Sequence, residues 1–249
     1  MTMDKTDMSI PKIIHYCWFG KKPMPASCEK MIATWRKQLP EYEIMRWDER
    51  SFDIGSSMYV QAAYQAGKYA FVSDYARLYA LKQYGGIYLD TDIEVIRSFD
   101  DLLEGREAVF GFESDEKVMT AFIAVRPGHP IISEFLDSYT DKVFDVENPE
   151  PNTVILTELL RSKGLEINNR MQQLGPEIVV FPLDYFQTYD FTRAALCTSE
   201  HTRTIHRCYG SWCTPKERLI FAIKRTLGSL LSEKGYNTLK RIKKRVIGE

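Results

Sequence analysis

Apolar positions along the chain fall into short continuous runs alternating with stretches of helical period. Lys12-Ile13-Ile14-His15-Tyr16-Cys17-Trp18-Phe19 is one such run, stopped by Gly20, Pro23 and Pro25, and it predicts a buried strand. Ser27 is placed to cap a helix through Gln38, with Met31, Ile32 and Trp35 on one face. Glu43–Trp47 then predicts a second short strand. Between Phe71 and Tyr84, Val72, Tyr75, Leu78, Tyr79 and Leu81 recur at helical spacing, and Gly85-Gly86 ends the helix. Ile87-Tyr88-Leu89 is a three-residue apolar strand running into Asp90-Thr91-Asp92. Further strands are expected at Ala108–Phe112, Ala121–Val125 and Ile178–Phe181, with helices near Ile131–Tyr139 and Thr153–Arg161. From Gly164 to Arg203 the pattern is otherwise weak. Strands alternating with helices predict an α/β fold with a mostly parallel sheet, whose sites lie beyond the carboxyl ends of strands. Both His15–Gly20 and Asp90–Asp92 fall there.

The candidate chemistry is concentrated in two segments. Two carboxylates one residue apart at a strand end can face a single cation, and hard oxygen ligands suit Mg²⁺ or Mn²⁺. A cation held by Asp90 and Asp92 would neutralise a departing diphosphate. The plain alternative is a solvated Asp-Thr-Asp turn; the Gly-Gly bend and short apolar strand before it favour the site. Upstream, Asp74 and Arg77 stand at i and i+3 on one helical face. They read either as an intrahelical ion pair worth a few tenths of a kcal/mol or as groups that hold sugar hydroxyls, with Arg77 also near phosphate. Trp18 is as suited to core packing as to stacking on a base. Glu113 and Asp115 follow an expected strand and can orient an acceptor hydroxyl or lie in a solvated loop. His206, Cys208 and Cys213, with His201 nearby, match no common zinc spacing.

Composition narrows the class. The 249 residues are 44% hydrophobic, 27% charged and 12% aromatic, with a net charge of −1, which excludes global disorder. That balance conceals an asymmetry: residues 214–249 carry ten Lys/Arg against three Asp/Glu, leaving −8 on residues 1–213. An acidic body argues against nucleic acid as a partner, while the basic end suits an anionic surface. No uncharged apolar stretch reaches 18 residues, the polar start Met1–Asp7 is unlike a secretory leader, and five scattered cysteines without a CxxC pair fit reduced thiols. A cytoplasmic protein is expected, peripheral on the inner membrane face if the basic end engages lipid.

In this order the motifs resemble those of glycosyltransferase family 32. These DxD-containing sugar transferases include relatives of yeast initiating mannosyltransferases and bacterial capsule or lipopolysaccharide enzymes. The resemblance rests on Ile10–His15 through Trp18-Phe19-Gly20, on Ser73-Asp74-Tyr75-Ala76-Arg77, and above all on Gly85-Gly86-Ile87-Tyr88-Leu89-Asp90-Thr91-Asp92. His206 followed by Ser211-Trp212 matches the family's C-terminal element. The resemblance implies a GT-A type Rossmann-like fold over residues 1–213, a nucleotide-sugar donor, a divalent metal, and retention of configuration at the transferred sugar. It implies that Trp18 stacks on the nucleotide base above His15 and Tyr16, and that Asp74 and Arg77 hold the donor sugar. Asp90 would bind the ribose or a metal-bound water, Asp92 the metal, and His206 the metal or diphosphate, with Ser211 and Trp212 closing over the phosphates. The implied catalytic set is thus Asp74, Arg77, Asp90 and Asp92, and the implied metal set Asp90, Asp92 and His206. An imidazole ligand would favour Mn²⁺ over Mg²⁺.

The expectation is a retaining, metal-dependent transfer of a hexose or N-acetylhexosamine, from a UDP-sugar first and a GDP-sugar second, to a surface polysaccharide or lipid-linked oligosaccharide. With no residue identifying itself as a nucleophile, a front-face route is expected, the departing phosphate helping to deprotonate the acceptor. A protein-glycosylating toxin or effector of the same fold, and a non-catalytic nucleotide-sugar-binding module, are the alternatives. Residues 214–249 read as basic amphipathic helices, broken at Gly235, for packing on the body or lying on an anionic membrane.

Overall fold

A computed structural model describes residues 9–190, 195–196 and 198–208. The chain opens with strand β1 (Ile13–Cys17), helix α1 (Ala26–Gln38) and β2 (Glu43–Trp47). A 3₁₀ turn at Ile54–Ser56 leads into α2 (Met58–Gln65), α3 (Tyr69–Tyr84), β3 (Gly86–Leu89) and β4 (Ile93–Val95). Next come α4 (Asp100–Leu103), β5 (Ala108–Gly111), β6 (Phe122–Val125), α5 (Pro130–Asp137) and α6 (Asn152–Ser162). β7 (Gln172–Leu174), β8 (Ile178–Phe181), α7 (Leu183–Phe186), β9 (Tyr189–Asp190), β10 (Ala195–Leu196) and β11 (Thr204–His206) follow.

Seven strands form the central sheet in the order β2-β1-β3-β6-β5-β8-β7. The pairings β2–β1, β1–β3 and β5–β8 are parallel, whereas β6 runs antiparallel to both β3 and β5, and β7 antiparallel to β8. Five of the seven strands therefore point the same way, and the expected α/β architecture is met. The ends of β1, β3, β5 and β8 and the start of β6 consequently share one edge.

Strand alternation sorts the core onto the two faces. Cys17, Tyr88, Phe110, Ile123 and Val180 pack with Val60, Val72, Leu78, Phe135 and Leu156, from α2, α3, α5 and α6. Ile14, Ile87, Val109, Phe122 and Phe181 pack with Ile32, Trp35, Leu102 and Phe186, from α1, α4 and α7. Helices on both faces of a mostly parallel sheet need strands apolar on both sides, which explains the continuous apolar runs.

Two local expectations change. Helix α1 is not capped by Ser27: it starts at Ala26, and Pro25, extended at φ −62°, takes the amides of Cys28 and Glu29 on its carbonyl. Asp90-Thr91-Asp92 is not extended chain. It is a turn, closed by the Ile93 amide donating to the Asp90 carbonyl at 3.0 Å, so turn geometry rather than strand alternation brings the two carboxylates together.

Candidate active site

The Gly85-Gly86 bend sets where β3 begins, and hence where Asp90 emerges. Gly85 has φ +62° and Gly86 φ +89°, and a Cβ on Gly86 would stand 2.5 Å from the Ile13 carbonyl oxygen of β1. Only glycine combines that backbone with so close an approach. His15 clamps the same bend. Its Nε2 lies 2.8 Å from the Gly85 carbonyl, and its Nδ1 accepts from the Trp47 indole at 3.1 Å. The proton therefore sits on Nε2, and burial lowers the His15 pKa to about 4 against the help of the Gly85 carbonyl. With no exposed surface and both nitrogens engaged, His15 has no polar atom to offer a ligand. Its implied place in nucleotide binding is corrected to a structural one. Tyr16 is likewise buried, edge-on to Trp35 with centroids 5.8 Å apart, on the opposite face of the sheet from Cys17.

Arg77 joins the two halves of the site. Nε donates to the Ser73 carbonyl at 3.2 Å and Nη1 to the Thr120 carbonyl at 2.7 Å. Nη2 stands 2.8 Å from Asp74 Oδ1 and 3.4 Å from Asp90 Oδ1, and the guanidinium lies 4.4 Å over the Tyr88 ring. The Arg77 side chain is 5% exposed. This is a buried network, not an exposed intrahelical pair, and it leaves Arg77 acting mainly through Asp74 and Asp90. Asp74 also accepts from Asn152 Nδ2 at 2.7 Å, and Tyr88 Oη donates to Asp90 Oδ1 at 2.9 Å. Burial raises the Asp74 pKa to about 7, partly offset by Arg77 and reinforced by Asp90.

The metal candidates converge through a strand pairing that joins distant stretches of the chain. β11 pairs antiparallel with β4, setting His206 opposite Ile93, next to Asp92. One donor atom each from Asp90, Asp92 and His206 lies within 4.8 Å of the others, with His206 Nε2 3.2 Å from Asp92 Oδ1. His206 Nδ1 is 2.9 Å from Gln187 Oε1, an oxygen that can only accept, so Nδ1 carries the hydrogen and Nε2 can offer a lone pair. Burial opposes the imidazolium, but Cys208 and Asp92 outweigh it and hold its pKa well above the ordinary value, so a cation taking the Nε2 lone pair must displace a proton from that nitrogen. Two carboxylates and an imidazole fixed by an outer partner fit a divalent cation of the Mn²⁺ or Mg²⁺ kind. Sequence reasoning missed Gln187, Asn152 and Thr120, which lie in no motif and are recognisable only by what they touch. Tyr88 lies inside the Gly85–Asp92 motif but reads there only as an apolar strand residue, and its bond to Asp90 is visible only in the structure.

The remaining candidates separate clearly. Trp18 lies just beyond β1, partly exposed and outside both buried clusters, its indole donating to the Lys22 carbonyl at 2.7 Å. Glu113 follows β5 in a tight turn, its amide donating to the Lys117 carbonyl at 2.7 Å. Burial raises its pKa, opposed by His206 and Lys117, while Asp115 is exposed. A zinc centre finds no support among the described residues: His201 stacks on Tyr185 at 5.2 Å, and Cys208 Sγ accepts from Gln187 Nε2 at 3.7 Å. Ser211, Trp212, Cys213 and the basic segment 214–249 lie outside the described residues. A second cluster, Glu107, His129 and Glu177, suits a metal poorly. His129 Nδ1 accepts the Ile131 amide, which puts the proton on the Nε2 that would have to ligate, and Arg126 already pairs with Glu107.

At the shared edge of the α/β sheet stand Trp18 and an Asp-x-Asp turn beside a histidine, with the Asp74–Arg77 pair joined to that turn through Asp90. Residues 25–109 match the family model described as the glycosyltransferase sugar-binding region containing the DXD motif. Inositol phosphoceramide mannosyltransferase 3 of Schizosaccharomyces pombe is 28% identical over 148 residues, covering 57% of this chain and 40% of that protein. This chain thus spans less than half the length of that relative. Two solved structures are similar to it. One is a glycosyltransferase involved in glycosylation of the major capsid of PBCV-1, 11% identical, TM-score 0.47, covering 84% of this chain and 97% of that one. The other is the PaToxG glycosyltransferase, 22% identical, TM-score 0.46, covering 62% and 69%. The match over residues 25–109 and the mannosyltransferase relative support a glycosyltransferase of the DXD type, the kind that the motifs resemble.

Proposed function

We propose that this protein is a retaining glycosyltransferase. It moves a hexose or N-acetylhexosamine from a nucleoside diphosphate sugar, with UDP as the first nucleotide and GDP the second, to a surface polysaccharide or lipid-linked oligosaccharide. The observation that carries this reading is the convergence of Asp90, Asp92 and His206 within 4.8 Å, next to the buried Asp74–Arg77 pair. Asp90, Asp92 and His206 would hold Mn²⁺ or Mg²⁺, and the cation, when bound, supplies charge neutralisation at the leaving diphosphate. Gln187 holds the His206 ring in the tautomer that presents Nε2. Asp74, immobilised by Arg77 and Asn152, takes donor-sugar hydroxyls, and Arg77 keeps Asp74 and Asp90 in register. The exposed part of Trp18 is the surface for the base.

The mannosyltransferase relative puts mannose among the hexoses to test. Incubating the protein with UDP- and GDP-hexoses and Mn²⁺, with and without oligosaccharide acceptors, tests the reading. Release of nucleoside diphosphate that disappears in Asp92→Ala supports it; no release from any donor refutes it. Product labelling separates a lipid-linked saccharide from the glycosylated protein band that an effector would give. The basic segment 214–249 would bring the enzyme to anionic inner-leaflet lipid, and full-length protein that ignores anionic liposomes at low salt would eliminate that role.

A further inference from the structure

Helix α6 begins with an asparagine that does not cap it. Asparagine near a helix start ordinarily bonds its own helix's amides, but here Pro151 holds the N-cap position and no side chain caps the helix. Instead the Asn152 side chain, itself buried, reaches two other elements. Its Nδ2 donates to Asp74 Oδ1 on α3 at 2.7 Å, and its Oδ1 accepts from Thr120 Oγ1, just before β6, at 2.8 Å. This pairing settles the amide orientation, since the opposite one would set the amide oxygen against the Asp74 carboxylate. Arg77 Nη2 stands on the same Oδ1 at 2.8 Å. Two donors thus engage one oxygen of a carboxylate whose side chain keeps 11% of its surface accessible.

We propose that Asn152 is a positioning residue for recognition of the donor sugar. Its amide, oriented by the Thr120 hydroxyl, fixes Oδ1 of Asp74 inward so that Oδ2 is the oxygen turned to a sugar hydroxyl. This rests on the reading that Asp74 faces the donor sugar. It adds that the preference for a sugar-bearing nucleotide over the bare nucleoside diphosphate is set from the start of α6, 78 residues away in sequence.

Asn152→Asp is close to isosteric but turns the donor into an acceptor facing Asp74, and Thr120→Val removes only the hydroxyl that orients the amide. Binding of UDP, GDP and the matching UDP- and GDP-hexoses with Mn²⁺ is measured by calorimetry on the full chain. Asn152→Asp should weaken the sugar nucleotide about tenfold or more, as expected for a lost hydrogen bond to a charged group, and leave the bare nucleotide within about twofold. Thr120→Val should move the same ratio by a smaller factor, and it carries the test alone if Asn152→Asp does not fold. The proposal is overturned if the folded variants bind the sugar nucleotide as wild type does, or lose sugar nucleotide and bare nucleotide equally. Wild-type protein that binds no nucleotide sugar overturns the donor-binding reading itself, before any variant is compared.

Discussion

Replacing Arg77 with methionine separates the two readings that its spacing from Asp74 allows. A surface pair at i and i+3 would contribute about 0.2–0.5 kcal/mol, and its loss would be nearly silent. In the structure the Arg77 side chain is 5% exposed and contacts Asp74, Asp90, the Thr120 carbonyl and the Tyr88 ring. Removing it strands a buried Asp74 carboxylate and an unpaired carbonyl, a change that costs about 3–5 kcal/mol when one partner of a buried pair is lost. For a chain of this size that lowers the melting temperature by roughly 6–20 °C. The double variant Asp74→Asn/Arg77→Met removes the stranded charge, while the amide oxygen introduced in place of the carboxylate can still accept from Asn152. It should therefore recover about 1 kcal/mol or more over the single variant. Urea unfolding followed by circular dichroism gives both numbers. A loss below about 1 kcal/mol in the single variant, or a double variant no more stable than the single, would falsify the buried-network account.

Three further outcomes are expected. His15 is held neutral in the folded state with its pKa lowered to about 4, so the unfolded chain binds more protons between pH 4 and 6.5. Its contribution is complete above that window and falls by up to about 3 kcal/mol as pH drops through it. His129, also lowered to about 4 by burial, adds to the slope, and Asp74, raised to about 7, opposes it. His15→Gln can still accept from Trp47 and donate to Gly85 without titrating; it should flatten the acid limb of stability, and an unchanged limb would exclude His15 as its source. Gly86→Ala should cost more than about 2 kcal/mol, because φ +89° and the 2.5 Å approach to the Ile13 carbonyl oxygen act together; calorimetric unfolding checks it, and a loss under about 1 kcal/mol would contradict the strain. Gln187→Leu should weaken Mn²⁺ binding about 10–100-fold by freeing the His206 ring, measured by manganese titration, and an unchanged affinity would remove Gln187 from the site.

The local part of this protein is legible in its residues read in order. Glu43–Trp47 and Ile178–Phe181 are strands at the predicted residues, and the helix expected over Phe71–Tyr84 forms over Tyr69–Tyr84, because buried strands and long amphipathic helices write their periods into neighbouring residues. The Gly-Gly bend and Asp-Thr-Asp were legible for the same reason: each needs a particular residue type at a particular place. The short α2 and the three-residue strands β4 and β11 were not legible, since so few residues carry no period. Which side chains meet was set by the closing of distant stretches of chain on one another. The pairing of His206 with Ile93, the Asn152 bond to Asp74 and the Gln187 bond to His206 cross 113, 78 and 19 residues of chain respectively. The same closure makes Arg77 a buried hub and His15 a clamp on the Gly85 bend. Hydrogen-bond partners and burial arise from packing between elements, and a sequence records neither until the chain has closed on itself.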